Sequence, residues 1–78
     1  EAKLQMVGTS AGHDRTVLRG SLEDHAFSNF YFRNEQLIGV DSVNRPADHI
    51  VSRKLIAAGV AVPESIVVDV AANLKSLL

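Results

Sequence analysis

Residues 26–48, AFSNFYFRNEQLIGVDSVNRPAD, decide the fold, because they predict a β-hairpin that runs straight into the longest helix. All four aromatic residues of the chain lie in this stretch, within six positions of one another. Aromatic side chains favour the pleated, half-buried surface of a sheet. Strand alternation places Phe30 and Phe32 on one face and Phe27 and Tyr31 on the other, and we expect the Phe30 face to cover the core.

The turn and the return strand complete the predicted hairpin. Asn34-Glu35 supplies the turn, since asparagine tolerates the positive φ that a tight turn needs. Glutamate stands where glycine would be best, which leaves a longer turn open. The return strand, residues 36–43, is apolar on both faces, with Ile38 and Val40 on one of them. We therefore expect it to lie in the middle of the sheet.

The first predicted strand is residues 3–8, KLQMVG, which alternate Leu4 and Met6 with their neighbours as a half-buried strand does. Residues 9–14, TSAGHD, are small, polar and glycine-bearing, which is typical of a loop. Sequential strands are usually neighbours in a sheet. We therefore expect the order 1-2-3-4, an antiparallel meander.

The second predicted strand is residues 15–22, which have an apolar face with Leu18 and Leu22. Arg15 and Arg19 lie on the opposite face. Together with Arg33 and Tyr31 they suggest a basic and aromatic platform for nucleic acid, or simply a solvated face. The solvated face is the preferred interpretation, because the chain has eight Lys and Arg against nine Asp and Glu, a net charge of −1.

The longest predicted helix is residues 46–58. Pro46 suits the first helical position, Asp48 complements the helix dipole, and Gly59 ends the helix in a left-handed conformation. Helical periodicity gives a core-facing stripe of Ala47, Val51, Leu55 and Ala58, with Ile50 at its edge. Ile56 points the other way, which indicates either a second contact surface or a lone exposed isoleucine.

The C-terminal part of the chain is ambiguous. Residues 60–63 form an extended connector that allows a fifth strand, and residues 71–76 predict a short helix with Asp69 as a possible N-cap. The predicted fold is α+β: an antiparallel β-meander of four to five strands with one longer helix and a short C-terminal helix packed on it. The whole of residues 1–78 forms a single domain.

Composition narrows the classes of function. The chain has no cysteine, so it has no disulfide and no thiolate metal site, and a reducing cytoplasm is its simplest location. No apolar run approaches the roughly 20 residues that span a bilayer. The chain starts at Glu1 without an initiator methionine, which suggests a piece of a longer protein.

No active site is evident from the residues alone. His13, His25 and His49 lack the spacing of metal ligands. No serine lies in a nucleophile turn, and the five glycines are scattered rather than grouped in a phosphate-binding loop. We therefore expect no catalytic, cofactor-binding or metal-binding residue in this chain.

Five motifs resemble, in order and spacing, the C-terminal domain of FAD-dependent NAD(P)H:ferredoxin reductases, the putidaredoxin reductase family that serves Rieske dioxygenases and haem-thiolate monooxygenases. They are KLQMVG, a loop with Gly12 and Asp14-Arg15, Arg19-Gly20-Ser21, FSNFYF, and VDSVNRPADH. The resemblance covers essentially the whole chain.

The resemblance implies a function for a larger protein. In that family two Rossmann-type domains bind FAD and NAD(P)H, and electrons pass to an iron–sulfur ferredoxin. The small C-terminal domain covers the flavin, through an aromatic segment that would lie just upstream of Lys3. The fragment alone is then inactive and binds no cofactor itself.

The resemblance also implies candidate partner contacts. The family's terminal L-K-x-x-L segment is similar to residues 74–78, which makes Lys75 the candidate cation for docking an acidic ferredoxin. Ile56 is the candidate interdomain or dimer contact, and a homodimer is allowed. The alternative is a stand-alone interaction or dimerisation module without catalysis.

Overall fold

The computed structural model describes residues 3–78 and has the predicted α+β architecture, with one four-stranded antiparallel sheet covered on one face by helices. The strands are β1 Leu4–Gly8, β2 Arg15–Ser21, β3 Ala26–Arg33 and β4 Gln36–Val43. The helices are α1 Pro46–Ala58, α2 Glu64–Val68 and a 3₁₀ helix, Leu74–Leu77.

The β3–β4 hairpin confirms the predicted turn and the central position of β4. Asn34 and Glu35 have φ of 52° and 65°, as a two-residue type I′ turn requires. A bulge shifts the register: Tyr31 pairs with Gly39 but Phe32 pairs with Leu37, so Ile38 is the extra residue. Strict alternation, which assigned Ile38 to the face of Val40, is therefore wrong there.

The predicted strand order 1-2-3-4 is wrong, because β1 crosses the sheet to pair with β4 and gives the order β1-β4-β3-β2. Close backbone approach makes this crossing possible. A Cβ on Gly8 would collide with the Ile38 carbonyl, and a Cβ on Gly39 would collide with the Thr9 backbone. The loop of residues 9–14 then runs beside the end of the β3–β4 hairpin, where the Thr9 amide donates to the Ile38 carbonyl at 3.0 Å.

Only one face of the sheet meets the helices, and it carries the predicted Phe30 and Phe32, both fully buried. The core consists of Val17, Phe30, Phe32, Leu37, Val40, Leu55, Val62, Val67 and Leu74. Because Val7 lies opposite Val40, β1 turns Val7 inward and leaves Leu4 and Met6 exposed. The predicted half-buried strand is confirmed, but its buried face carries Val7 rather than Leu4 and Met6.

The same register argument reverses the predicted faces of β2. Val17 lies opposite Phe30 in the core, so Arg19, two residues later, is buried with it. Leu18 and Leu22, expected on the buried face, are exposed.

Helix α1 has the predicted bounds, with Pro46 in its first turn and Gly59 left-handed at φ 66°. Its buried residues are Asp48, Ser52 and Leu55, so the core face is rotated from the predicted stripe. The rotation follows from a polar contact, since the Ser28 hydroxyl on the sheet donates to Asp48 at 2.9 Å. Ala47 and Ala58 consequently face solvent.

The C-terminal segment differs from the prediction. Residues 64–68 are helical although their sequence is β-rich, and Val67 from this helix is fully buried in the core. The later helix is the 3₁₀ helix, and its cap is Asn73 rather than Asp69. Asp69 instead accepts a hydrogen bond from the Ala71 amide at 3.0 Å, within a turn. Residues 60–63 add no fifth strand to the described sheet.

Candidate functional site

A cleft of about 380 Å³ lies between α1 and the start of the 3₁₀ helix with the residues just before it. Its walls combine apolar side chains, including Ile50 and Leu74, with four cationic ones. The cationic residues that line it are Arg19, Arg45, Lys54 and Lys75. The sequence-predicted Lys75 is one of the residues that line this cleft.

The cleft carries positive charge although the chain as a whole has a net charge of −1. Asp48 is the one carboxylate among the described lining residues, and it is neutralised by contacts with Arg45 and Arg19. Lys54 and Lys75 are exposed and form no ion pair within residues 3–78. The rim therefore presents two available ammonium groups beside the exposed side chain of Ile50.

Lys75 is held at the rim by short-range features of the sequence. The Asn73 side chain accepts a hydrogen bond from the Lys75 amide at 3.0 Å and caps the 3₁₀ helix. Leu74 is buried and Leu77 packs against the core, so the residue between them turns toward solvent. Leu74 and Leu77 thus fix where the Lys75 side chain starts, whereas Leu78, the last leucine of the L-K-x-x-L pattern, is exposed.

The floor of the cleft is the buried guanidinium of Arg19. It donates to backbone carbonyls along one continuous stretch of the C-terminal segment: Ile66 at 3.0 Å, Val67 at 3.1 Å, Asp69 at 2.8 Å, Val70 at 3.5 Å and Ala72 at 2.7 Å. These include carbonyls at the end of α2, where a positive charge also complements the helix dipole. Arg19 therefore attaches one wall of the cleft to the sheet.

The opposite wall is attached through Asp48. Its carboxylate lies 3.5 Å from Arg19 Nε, contacts Arg45, and accepts the hydrogen bond from Ser28. Ser28 lies 2.9 Å from the Ser42 hydroxyl on the neighbouring strand. Both walls of the cleft thus meet at the Arg19–Asp48 pair.

The predicted arginine and tyrosine platform does not assemble. Arg19 is buried on the helix side, and Arg15 on that side lies 3.5 Å from Glu64 and over the Phe32 ring. Tyr31 is on the other face, where its hydroxyl donates to Asp41 at 2.8 Å. This hydrogen bond, with partial burial and the nearby charge of Asp41, raises the Tyr31 pKa above its ordinary value.

Ile56 does not point away from the core as expected, because it is half-buried and packs against the core residues. The exposed isoleucine of α1 is Ile50, which lies beside Lys54 in the cleft. The contact of Asp48 with the sheet rotates the helix, which explains why Ile50 rather than Ile56 is the exposed isoleucine. A role for Ile56 in interdomain or dimer contact stays a prediction.

Sequence reasoning missed the function of Arg19 in this site. The period-2 pattern divided β2 into two faces but did not show which face was buried. One signal in the sequence could have indicated that Arg19 is buried. Arg19 lies two residues after Val17 and therefore shares its face of the strand, and valine is a residue that fits the core. The burial of Arg19 depends on carbonyls about fifty residues later in the chain.

Among residues 3–78 no group of three or more histidine, cysteine, aspartate or glutamate side chains is placed to hold a metal ion. None of the helices described is long and apolar enough to cross a membrane.

Comparison with known proteins identifies the family. The family model described as "Reductase C-terminal" matches residues 1–78, the entire chain. The chain belongs to the reductase C-terminal family.

The relatives of this reductase C-terminal domain include proteins named as reductases of ferredoxin or putidaredoxin. Putidaredoxin reductase of Pseudomonas putida is 37% identical over 78 residues, which are 100% of this chain and 18% of that protein. The crystal structure of the ferredoxin reductase for the CYP199A2 system from Rhodopseudomonas palustris has a TM-score of 0.92 and 41% identity, covering 97% of this chain and 19% of that one. The crystal structure of the covalent putidaredoxin reductase–putidaredoxin complex has a TM-score of 0.91 and 38% identity, covering 99% of this chain and 18% of that one.

The reductase C-terminal domain thus spans less than a fifth of the length of the relatives that it matches. The predicted flavin-contacting segment falls on residues 1–2 and upstream of them, outside the described residues. The predicted family is confirmed by the match and by these relatives.

Proposed function

We propose that this chain is the C-terminal domain of an FAD-dependent reductase that passes electrons from NAD(P)H to an iron–sulfur ferredoxin. One hydride from NAD(P)H carries two electrons to FAD, and two ferredoxin molecules then take one electron each. The family match and the names of the ferredoxin reductases that resemble the chain support the proposal.

FAD and NAD(P)H are assigned to the domains that precede this one. The glycines within residues 3–78 support tight turns and close strand approach rather than a phosphate-binding loop at the start of a helix. This placement of the glycines supports locating the nucleotide sites in the preceding domains. The role proposed for this domain is to cover the flavin and exclude water from it.

The observation that carries the partner-binding part of the proposal is the positive cleft. Lys54 and Lys75 both line the cleft and are exposed, while the only lining carboxylate among the described residues is already paired. Such a rim attracts an acidic protein surface and speeds its association. We therefore assign Lys75, together with Lys54, to docking of an acidic ferredoxin.

Charge reversal in the intact reductase tests this assignment. Lys75→Glu is expected to raise KM for ferredoxin about three- to tenfold at low ionic strength, since one attraction is replaced by a repulsion. The effect should shrink as added salt shortens the screening length to about 10 Å or less. Reduction of ferricyanide, a small acceptor that needs no docking, should stay unchanged.

Arg53→Glu is the matched control. Arg53 is exposed on the same helix as Lys54 but does not line the cleft, so the same change of charge should leave KM for ferredoxin nearly unchanged. Equal effects of Lys75→Glu and Arg53→Glu would reduce the assignment to a general charge effect. An equal loss with ferredoxin and ferricyanide would also reject it.

The contact proposed for Ile56 has a separate basis. Its half-buried side chain packs on the core, so only its exposed edge is available to a neighbouring domain or a second copy. Ile56→Ala would combine a loss of core packing with any loss of contact. Two measurements on Ile56→Ala separate these effects. A lower stability of the isolated domain reports the loss of core packing, and a changed oligomeric state of the intact protein reports the loss of a dimer contact.

A further inference from the structure

The sheet has one face that the helices leave open. The helices described here pack against the Phe30 face, while the opposite face of the four strands meets none of them. Met6 is 67% exposed and Leu4 is 59% exposed on this open face. Large exposed apolar side chains gathered on one surface are typical of an interaction site.

The strand register shows that these side chains belong to continuous rows. Leu4 lies opposite Val43, Val43 lies opposite Phe27, and Phe27 lies opposite Gly20. This first row crosses all four strands without a polar side chain. The open face is therefore apolar at the end of the sheet where β1 begins.

The second row is apolar at both edges and polar in the middle. Met6 and Leu18 are at its two ends, with Asp41 and Asn29 between them. Asp41 accepts the hydrogen bond from Tyr31, so this carboxylate keeps a partner when water is removed. Covering a polar group that already has a partner costs much less than covering one without.

We propose that the open face of the sheet, with Leu4, Met6, Val43 and Phe27, packs against the preceding domains of the same polypeptide. This inference rests on the proposed function, in which those domains bind FAD and NAD(P)H. The chain accounts for 18% to 19% of the length of its solved relatives, so a large partner is available in the same molecule. The family description assigns this domain to the C-terminal end.

The position of the apolar row favours this occupant over a second copy of the chain. Leu4 is the first residue of β1, so a domain joined upstream is tethered at the apolar end of the open face. Tethering gives an effective concentration in the millimolar range for a short linker, without any new contact. A second copy has no such advantage.

Met6 provides a direct probe, because it is the only methionine in the chain and it lies in the open face. Hydrogen peroxide transfers one oxygen atom to the thioether sulfur and leaves as water, and the sulfoxide adds the mass of one oxygen. The rate of Met6 oxidation is measured by mass spectrometry in the isolated 78-residue chain and in the intact reductase. No substitution is needed, so folding is not disturbed.

Met6 should oxidise at least tenfold more slowly in the intact reductase than in the isolated chain. Equal rates would overturn the proposal, because the face would then be open in both. Protection within the isolated chain that increases with protein concentration would indicate a second copy as the occupant, and would also overturn it.

Matched variants give a second test. Met6→Lys and Val68→Lys each place a charge at an exposed position, but Val68, 55% exposed, lies on α2 on the helix side. Neither should change the melting temperature of the isolated chain by more than a few degrees. In the intact reductase Met6→Lys should speed proteolytic release of this domain about tenfold, and Val68→Lys should not; equal release would contradict the proposal.

The outcomes separate this inference from the proposed function. If the intact protein reduces ferredoxin but Met6 is unprotected, only the assignment of the open face fails. If the intact protein has no flavin, the proposed function fails, and Met6 oxidation still reports whether the preceding chain covers this face.

Discussion

Replacing Arg19 by methionine should strongly destabilise the isolated domain. Methionine keeps an apolar stem of similar length but removes the charge and every donor that Arg19 directs at the C-terminal segment. The carbonyls from Ile66 to Ala72 lose their shared partner, and Asp48, whose side chain is 6% exposed, keeps Arg45 as its remaining cation.

The expected cost is about 4 kcal/mol, since removing one partner of a buried ion pair typically costs about 3–5 kcal/mol. The five hydrogen bonds do not add separately, because they share one guanidinium and several carbonyls regain water when the segment loosens. A domain of 78 residues has a total stability of about 4–12 kcal/mol. The substitution therefore removes a large share of the free energy of unfolding.

Urea unfolding followed by far-ultraviolet circular dichroism measures the effect. Arg15→Met is the matched control in the same strand: Arg15 is 43% exposed, and its pair with Glu64 is at the surface, so its loss should cost less than about 1 kcal/mol. If Arg19→Met cost no more than Arg15→Met, the buried guanidinium would not hold the C-terminal segment in place at the floor of the cleft.

Two further predictions concern the hairpin and the open face. Glu35→Gly should stabilise the domain by about 1 kcal/mol in the same urea assay. The reason is that Glu35 adopts a φ of 65°, which costs a non-glycine residue about 1–2 kcal/mol. A destabilised variant would contradict this, because it would show that the glutamate side chain makes a contact worth more than the backbone strain. Tyr31 is the only tyrosine, so its phenolate absorbance should titrate above the ordinary pKa and move down in Asp41→Asn. Because the pKa of Tyr31 is raised in the folded state, its contribution to stability is present below the pKa of the unfolded chain and is lost as pH rises through the folded pKa. An unchanged titration in Asp41→Asn would contradict the assigned cause.

The features that could be predicted from sequence are local ones. The hairpin turn depends on Asn34 and its neighbour, and the bounds of α1 depend on Pro46 and Gly59, so a few adjacent residues suffice to define them. The Phe30 face could be predicted because both of its aromatic residues lie on one strand. The resemblance to the reductase family rested on short motifs of the same local kind.

The features that could not be predicted depend on partners distant in sequence. Alternation shows that β1 and β2 each have two faces, but the choice between them is made by pairing with Val40 and Phe30. The strand order follows from the close approach of Gly8 and Gly39, thirty-one positions apart. No pattern in the sequence marks such a contact.

The candidate site was predictable only in part for the same reason. The terminal motif identified Lys75, but not its position beside Lys54, because that depends on where the C-terminal segment returns to α1. Arg19 was assigned to solvent since its carbonyl partners belong to a turn that sequence alone presented as ambiguous. Buried charges of this kind are recognised once the fold brings their partners together.

The most direct test of the central claim is an anaerobic titration of the intact cellular polypeptide that contains this sequence. We expect a yellow protein whose flavin absorption bleaches on addition of NADH or NADPH and returns when oxidised ferredoxin is added. A colourless polypeptide, or a flavin that neither nicotinamide reduces, would contradict the assignment of this domain to a ferredoxin reductase.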